Sequence, residues 1–371
     1  MANRAFKYRL YPNKNQQIQF NKTFGCVRFT YNHCLNLQQE RYAAGQGYMS
    51  KTGMNNYCNR ILKDDYPFLK EVDKFALTNA VYHLDAGFQR MFQHRGKHPK
   101  FKSKHKSRAS YTTNFTNGNI KVLDGRIQLP KIGKVKAVIH RTASEEYALK
   151  SATVSMEKDH TYYVSILYEY EEKSISSMNS NAVGLDYKSD GLYKTSNGDT
   201  CNMPHYFRKS QPALVKAQRK LKHKVKGSNN WVKQQKKIAR VHRHIANQRK
   251  DYLHKKSTEI VNQYGIVCVE DLDMKAISNK GFRNGKATMD NGYGMFLNML
   301  EYKLHDRGGK LVKVDKWYPS SQICCQCGSR QVLSLSDRLY CCPVCGMELD
   351  RDHNAAINIK EEGLRILRNA S

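Results

Sequence analysis

The sequence predicts a β-barrel or strongly twisted sheet with helices inserted after its first strand, followed by an α/β domain. Three observations support this. One strand pattern opens the chain and gives way to long helical periodicity. A run of strand patterns joined by tight turns then fills residues 111–168. From residue 182 onward, short apolar strands alternate with helical stretches. With 371 residues the chain is long enough for two or three domains.

Within Arg4–Leu10, Phe6, Tyr8 and Leu10 alternate with Ala5, Lys7 and Arg9, the period of a half-buried strand. Pro12 ends it. From Lys14 to about Tyr42, Val27, Tyr31 and Leu35 recur at four-residue spacing and predict a helix. A second helix is predicted from Lys74 to about Gln93, with Phe75, Leu77, Val81, Leu84, Phe88 and Phe92 as its apolar face. Strands follow at 111–115, 120–123, 126–129, 135–139, 152–156 and 162–168, with Asn117-Gly118 and Asp124-Gly125 as hairpin turns. Residues 174–181 read as a polar linker. Beyond it, Ala182–Asp186, Ile266–Glu270 and Leu311–Val314 read as buried strands, and Leu192–Thr195 ends in an Asn197-Gly198 turn. Pro212 is expected to open a long helical region. Residues 278–288, rich in Gly and Asn, are expected to be mobile.

Lys and Arg number 63 against 32 Asp and Glu, a formal net charge of +31. A compact chain with that charge repels itself, and a polyanion relieves the repulsion. No apolar run approaches the ~18 residues of a membrane span, and Met1–Leu10 lacks the apolar core of a signal peptide. The expectation is a cytoplasmic, nucleoid-associated protein that binds nucleic acid. The charge is concentrated. Residues 95–108 hold Arg95, Lys97, Lys100, Lys102, Lys104, Lys106 and Arg108 without an acid. Residues 208–256 hold seventeen Lys and Arg and a single acid, Asp251. Trp231, Ile238, Ile245 and Tyr252 recur there every seven residues as a packing stripe, leaving the other faces cationic. Like charges at i,i+4 destabilise a bare helix. Lys100, Lys102, Lys104, Arg219, Lys220, Lys236, Lys237 and Arg240 are therefore expected on a nucleic-acid backbone, with binding that weakens as salt rises.

Two carboxylates close short apolar strands: Asp186 after Ala182-Val183-Gly184-Leu185, and Glu270 after Ile266-Val267-Cys268-Val269. Strand ends in an α/β sheet line the crevice where ligands bind. A third acidic stretch, Asp350-Arg351-Asp352-His353-Asn354-Ala355-Ala356, stands where a helix begins. Carboxylates converging from distant segments can hold two divalent ions for phosphodiester cleavage, and hard oxygen ligands suit Mg²⁺. An Asp after an apolar strand is also a common turn former or helix cap.

Eleven cysteines are present, six of them between Cys324 and Cys345. Cys324-Cys325-Gln326-Cys327-Gly328 and Cys342-Pro343-Val344-Cys345-Gly346 form two C-x-x-C-G knuckles. The spacing predicts one Zn²⁺ on Cys324, Cys327, Cys342 and Cys345. Cys325 and Cys341 are left over, and the repeated form favours Cys342 over Cys341.

Taken together, Tyr8-Arg9-Leu10-Tyr11-Pro12, Pro99-Lys100-Phe101-Lys102-Ser103-Lys104, Val183-Gly184-Leu185-Asp186, Val269-Glu270-Asp271-Leu272, both knuckles and the Asp350–Ala356 stretch resemble the TnpB family. These are transposon-encoded RNA-guided DNA nucleases related to compact type V CRISPR effectors. The resemblance runs along nearly the whole chain. It implies a RuvC nuclease domain of ribonuclease H-like fold over 181–321 and 348–371, interrupted by a zinc ribbon at 322–347. Asp186, Glu270 and Asp352 would hold Mg²⁺ or Mn²⁺, with Asp350 and Asp271 as neighbours. It also implies an oligonucleotide-binding-like barrel over 1–10 and 95–172, with a helical recognition domain over 11–94. Lys74, Phe75 and Thr78 match positions that read a short duplex motif beside the target. Implied partners are a guide RNA and target double-stranded DNA, with one protein per RNA. The rivals are a nuclease-inactive guided repressor and a DNA transposase. The hairpin bearing Lys188 and Asp190 is more charged than the family pattern.

Overall fold

The computed structural model describes residues 1–171, 179–278, 285–334 and 337–370. The chain divides into two compact units, 1–172 and 173–371.

In the first unit, β1 (Ala2–Tyr11) buries Phe6, Tyr8 and Leu10 and exposes the residues between them. Pro12 leads to Asn13, which starts α1 (Lys14–Ala43) through a capping box. Its side chain accepts the Gln16 N–H at 2.9 Å, and the Gln16 side chain accepts the Asn13 N–H at 3.1 Å. A short α2 (Lys51–Tyr57), a π turn at Cys58–Leu62, α3 (Lys63–Asp65) and a 3-10 turn at Pro67–Glu71 lead to α4 (Lys74–Phe92), capped by Asp73. The chain returns through β2 (Ala109–Asn114), β3 (Lys121–Leu123), β4 (Arg126–Leu129), β5 (Gly133–Val138), β6 (Ala148–Met156) and β7 (Tyr162–Tyr170). Together with β1 they form one antiparallel sheet in the order β2-β6-β7-β1-β5-β4-β3. Phe6 stands opposite Ile166 and Tyr8 opposite Val164. One apolar core serves helices and sheet alike, joining Phe20, Phe24, Leu77 and Leu84 to Tyr8, Tyr111, Tyr162 and Ile166.

Of the two expected forms, barrel or strongly twisted sheet, the structure shows the open one, a half-barrel sheet. Edge strands β2 and β3 are not paired with each other among the described residues. Closure needs two free edges in register. Here α4 sits at the β2 edge: Asn79 Nδ2 donates to the Thr112 carbonyl (3.0 Å) and to Asn114 Oδ1 (3.1 Å). At the other end β3 is only three residues long.

The second unit holds β8 (Ala182–Tyr187), β9 (Tyr193–Thr195), β10 (Thr200–Cys201), α5 (Tyr206–Lys222), α6 (Asn229–Gln263) and β11 (Ile266–Glu270). These are followed by α7 (Met274–Ile277), α8 (Gly285–Asn291), α9 (Tyr293–His305), β12 (Lys310–Val314), β13 (Leu339–Cys341), β14 (Glu348–Asp350) and α10 (Arg351–Asn369). Its five-stranded sheet has the order β10-β9-β8-β11-β12. The last three strands are parallel, and β9 and β10 extend the sheet antiparallel. Alternation assigns the two faces. Val183, Leu185, Val267 and Val269 pack with Leu253 and Val261 of α6 and with Phe296 and Leu300 of α9. Ile266, Cys268, Val312 and Val314 pack with Ile359 of α10.

Two glycines bring α10 down onto that second face. A Cβ at Gly184 would lie 2.0 Å from the Ala356 carbonyl oxygen, and one at Gly363 would lie 2.4 Å from Cys268 Sγ. Backbone cannot yield by that much. Gly184→Ala is therefore expected to destabilise the second unit by about 3 kcal/mol or more, read as a drop in Tm with the RNA-free protein. Unchanged Tm would show that α10 is not seated on β8.

Three local expectations are revised. Pro212 lies inside α5, which starts six residues earlier at Tyr206. The reason is tertiary: the buried Asp290 carboxylate accepts the N–H groups of Phe207 (3.1 Å) and Arg208 (3.4 Å) and pairs with Arg249 (3.1 Å). The basic stretch is two helices, broken at Gly227 (φ +86°) and restarted by the Ser228 cap. Of the predicted stripe only Ile245 is buried. Burial on α6 then follows Leu253, Ser257, Ile260 and Val261 rather than Tyr252. Residues 172–178 of the linker and 279–284 of the Gly/Asn-rich segment lie outside the described residues.

Candidate active site

The register of the parallel sheet sets the geometry. Leu185 pairs with Val269, so the next residues, Asp186 and Glu270, stand side by side at the same strand ends. By parity both share the face of Gly184 and Cys268, the face that α10 covers. Asp352 lies in the first turn of α10. Three acids 84 and 82 residues apart in sequence thus meet at one edge, where all three are half-buried.

Their electrostatics follow from this placement. Burial, then Glu270, then Asp352 push the Asp186 carboxyl well above the usual range. Burial also raises Glu270, partly offset by the Ser320 hydroxyl, which donates to Glu270 Oε1 at 2.6 Å. Arg351 pairs with Asp352 at 3.5 Å, but among the described residues no salt bridge reaches Asp186 or Glu270. Like charges gathered without enough cations leave a deficit that divalent ions fit. The three carboxylates do not close to single-ion spacing as the cysteine sulfurs do.

Asp350 is separated from this set by its own work. Its side chain accepts the His353 N–H at 2.9 Å as the α10 cap, and Lys194 approaches it at 3.9 Å. Asp271 pairs with Lys313 at 3.3 Å.

The four cysteines converge as the spacing predicts. The sulfurs of Cys324, Cys327, Cys342 and Cys345 all lie within 4.8 Å of one another. Cys324 and Cys345 are 3.6 Å apart, and Cys327 and Cys342 3.5 Å. Tetrahedral thiolate coordination at ~2.3 Å gives edges of about this length. The Cys345 backbone N–H and the Ser329 hydroxyl hold the Cys342 thiol down to about 5, whereas burial and the neighbouring sulfurs push Cys345 up. Cys341 and Cys325 stay outside the cluster.

Several residues here escaped sequence reasoning. Asn354 and Asn358 are buried on α10 and fasten the segment before the first knuckle. Asn354 Nδ2 donates to the Ile323 carbonyl (2.7 Å) and its Oδ1 accepts the Cys325 N–H (2.9 Å). Asn358 Nδ2 donates to the carbonyls of Ser320 (2.8 Å) and Ile323 (2.6 Å). The same segment delivers Ser320 to Glu270. A pair of Asn at i,i+4 among Ala355, Ala356 and Ile359 was the available signal. Tyr293 is buried on the opposite face with its hydroxyl unpartnered. Burial and the nearby Asp186 and Glu270 push it far up.

The basic positions are placed as follows. Arg219, Lys220, Lys237 and Arg240 are exposed and Lys236 is half-buried. Arg208, Lys216, Arg219, Lys220 and His223 line an open basic groove along α5. In the first unit Lys100 and Lys104 are exposed. Lys102 is turned inward, its ammonium 3.8 Å over the Tyr31 ring and its backbone held by Asn32 at 2.8 and 2.9 Å. Lys74 and Phe75 share the start of α4 with a 5.1 Å cation–π contact, and the Thr78 hydroxyl donates to Asn55 at 3.1 Å.

Residues 293–359 match a family model described as Cas12f1-like, TNB domain, and residues 165–280 one described as Probable transposase. Residues 1–47 match a Helix-turn-helix domain model, although they form here the strand β1 and the single helix α1. A Streptomyces pristinaespiralis protein named "Putative RNA-guided DNA endonuclease" is 35% identical over 97% of this chain and 89% of its own length. The Escherichia coli K12 protein named "Putative RNA-guided DNA endonuclease InsQ" is 30% identical over 98% of this chain and 93% of its own. Among solved structures, a chain of a Cas12f1-sgRNA-target DNA complex shares the fold with a TM-score of 0.59 at 15% identity, over 93% of this chain and 83% of that one.

Proposed function

This chain belongs to the TnpB family, and on that premise we propose that it is an RNA-guided DNA endonuclease that cuts at Asp186, Glu270 and Asp352. The observation that carries the reading is the register that sets Asp186 beside Glu270 on the face covered by the first turn of α10. The sheet order and the helix on this face support a RuvC-type, ribonuclease H-like domain, with the cysteine cluster as its zinc ribbon.

Mg²⁺ or Mn²⁺ suits the three carboxylates, and divalent ions there would supply an activated water and charge neutralisation at the scissile phosphate. The chain's own groups prepare that site. Ser320 fixes one Glu270 oxygen, Arg351 orients Asp352, and Asp350 is occupied as the helix cap. Guide RNA would lie on the exposed cations of α5 and α6 and on Lys100 and Lys104, while pairing with the guide selects the target. Lys74, Phe75 and Thr78 would read a short duplex motif. The complex would be one protein on one RNA, working in the cytoplasm at the nucleoid. Lys102 is better suited to holding its loop than to a phosphate. All three acids are present, which argues against an inactive repressor.

The test is guided cutting. Purified protein with its co-purified RNA and Mg²⁺ is expected to cleave a matched duplex and spare a mismatched one. Cutting without regard to the match, or strand joining without guided cutting, would replace this reading by a non-guided nuclease or a transposase. RNA binding is expected to weaken linearly in log salt. Replacing Arg219, Lys220, Lys237 and Arg240 by Ala should lower the slope by about 0.7–0.9 per lost contact. An unchanged slope would remove these residues from the interface.

A further inference from the structure

We propose that Trp317 is a stacking platform for the single DNA strand that enters the carboxylate site, holding a base within about three nucleotides of the scissile phosphate. The proposal rests on the nuclease reading above and adds the group that sets the strand's register.

The ring is 81% exposed, whereas the other tryptophan, Trp231, is half-buried. An indole left in water forgoes a large apolar burial. Nothing about the loop is loose enough to explain that as disorder. Asp315 Oδ1 accepts the Trp317 N–H at 2.7 Å, and the Asp315 carbonyl accepts the Tyr318 N–H at 3.0 Å. Tyr318 packs into the apolar cluster beneath α10. The backbone is therefore ordered in advance while the side chain stays largely in water, which is the preorganised state that favours binding.

The position points to the substrate. Trp317 is the middle residue of 315–319, and both ends of that loop reach Glu270. On one side Val314 pairs with Glu270 across the sheet. On the other, Ser320 Oγ bonds Glu270 Oε1 at 2.6 Å. Three residues of chain span at most about 11 Å, or roughly three nucleotides at ~3.4 Å per step. The Lys316 ammonium lies over the ring, 5.1 Å from its centroid, a cation–π contact that a base can share from the other face. An aromatic ring with an adjacent cation matches a single strand, offering a base face and a phosphate charge together. A duplex has its bases already stacked and presents no free face.

Trp231→Phe leaves Trp317 as the sole indole. In the Asp186→Ala, Trp231→Phe protein–RNA complex, a matched target is expected to quench Trp317 emission, and a target strand with abasic sites near the cut is not. In the otherwise unmodified complex, Trp317→Ala is expected to slow cleavage about 10- to 100-fold and scatter the cut positions at unchanged RNA binding. Trp317→Phe should retain most of the rate. Emission that ignores the target, with full rate and fixed cut sites in Trp317→Ala, overturns the proposal. So does emission that changes with protein concentration alone, which would assign the ring to a second copy. Failure of the nuclease reading is distinct, because the unmodified complex would then not cut.

Discussion

Asp186→Ala is expected to lower guided cleavage at least about a thousandfold, roughly 4 kcal/mol of barrier, while RNA and target binding persist. Glu270→Ala and Asp352→Ala should behave alike, and Asp350→Ala should retain more activity, because Asp350 is spent on the α10 cap. The site also gives a stability signature. In the metal-free protein, burial and the neighbouring acids raise Asp186, and burial raises Glu270. The folded state thus holds these protons more tightly than the unfolded chain. The contribution of these two groups to metal-free stability is fully present below the unfolded carboxyl values near 4 and is lost as pH rises through the raised folded ones. Divalent ions relieve the exposed deficit, so the Mg²⁺-induced rise in Tm should be larger at pH 8 than at pH 5.5. It should shrink in Asp186→Asn, whose metal-free Tm should equal or exceed that of the unmodified protein. Full cutting by Asp186→Ala would sink the mechanism. Loss of RNA binding in all three alanine variants would assign the acids a folding role.

The second large effect concerns zinc. The purified protein is expected to carry one Zn²⁺, Cys342→Ser to lose it and Cys325→Ser to keep it, since the Cys325 sulfur lies outside the cluster. Structural zinc thiolate sites contribute on the order of 10 kcal/mol of binding to folding, so the knuckle should lose its order. Cleavage should also fall sharply, because the first knuckle continues the segment that carries Ser320 to Glu270. Zinc content by elemental analysis, Tm and cleavage rate together decide it. Equal zinc in Cys342→Ser and unmodified protein would show the ligand set is wrong.

Much of the candidate site's geometry was legible because it rests on local rules. Asp186 and Glu270 each close a four-residue apolar strand, and such a run in an α/β pattern places its last residue at the sheet's ligand-binding end. The knuckles announce themselves by spacing. Asp352 was legible only through the motif around it, since two acids flank Arg351 and nothing local says which one caps the helix. What stayed hidden depends on tertiary partners. Asn354 and Asn358 read as ordinary helical residues until the 320–325 segment lies against them. The α5 start was misplaced because Asp290, more than eighty residues away, supplies the cap. Strand patterns leave barrel and open sheet undecided, because they do not tell whether an edge is left to a helix, as the Asn79 contacts leave β2. The stripe on α6 was read at seven-residue spacing, whereas burial on a single long helix drifts around its surface.

The amide bonds from Asn354 and Asn358 also bear on how this protein can be rebuilt. The cysteine-rich segment is bounded neatly in sequence, which invites exchanging it for a relative's. Its footing, though, lies two and six residues past Asp352 on a helix outside that segment, and the bonded carbonyls belong to the strand of chain that feeds Glu270. A graft cut at the cysteines would therefore import a folded knuckle without its seat. An exchange that keeps the seat has to carry Ser320 and Ile323 together with Asn354 and Asn358.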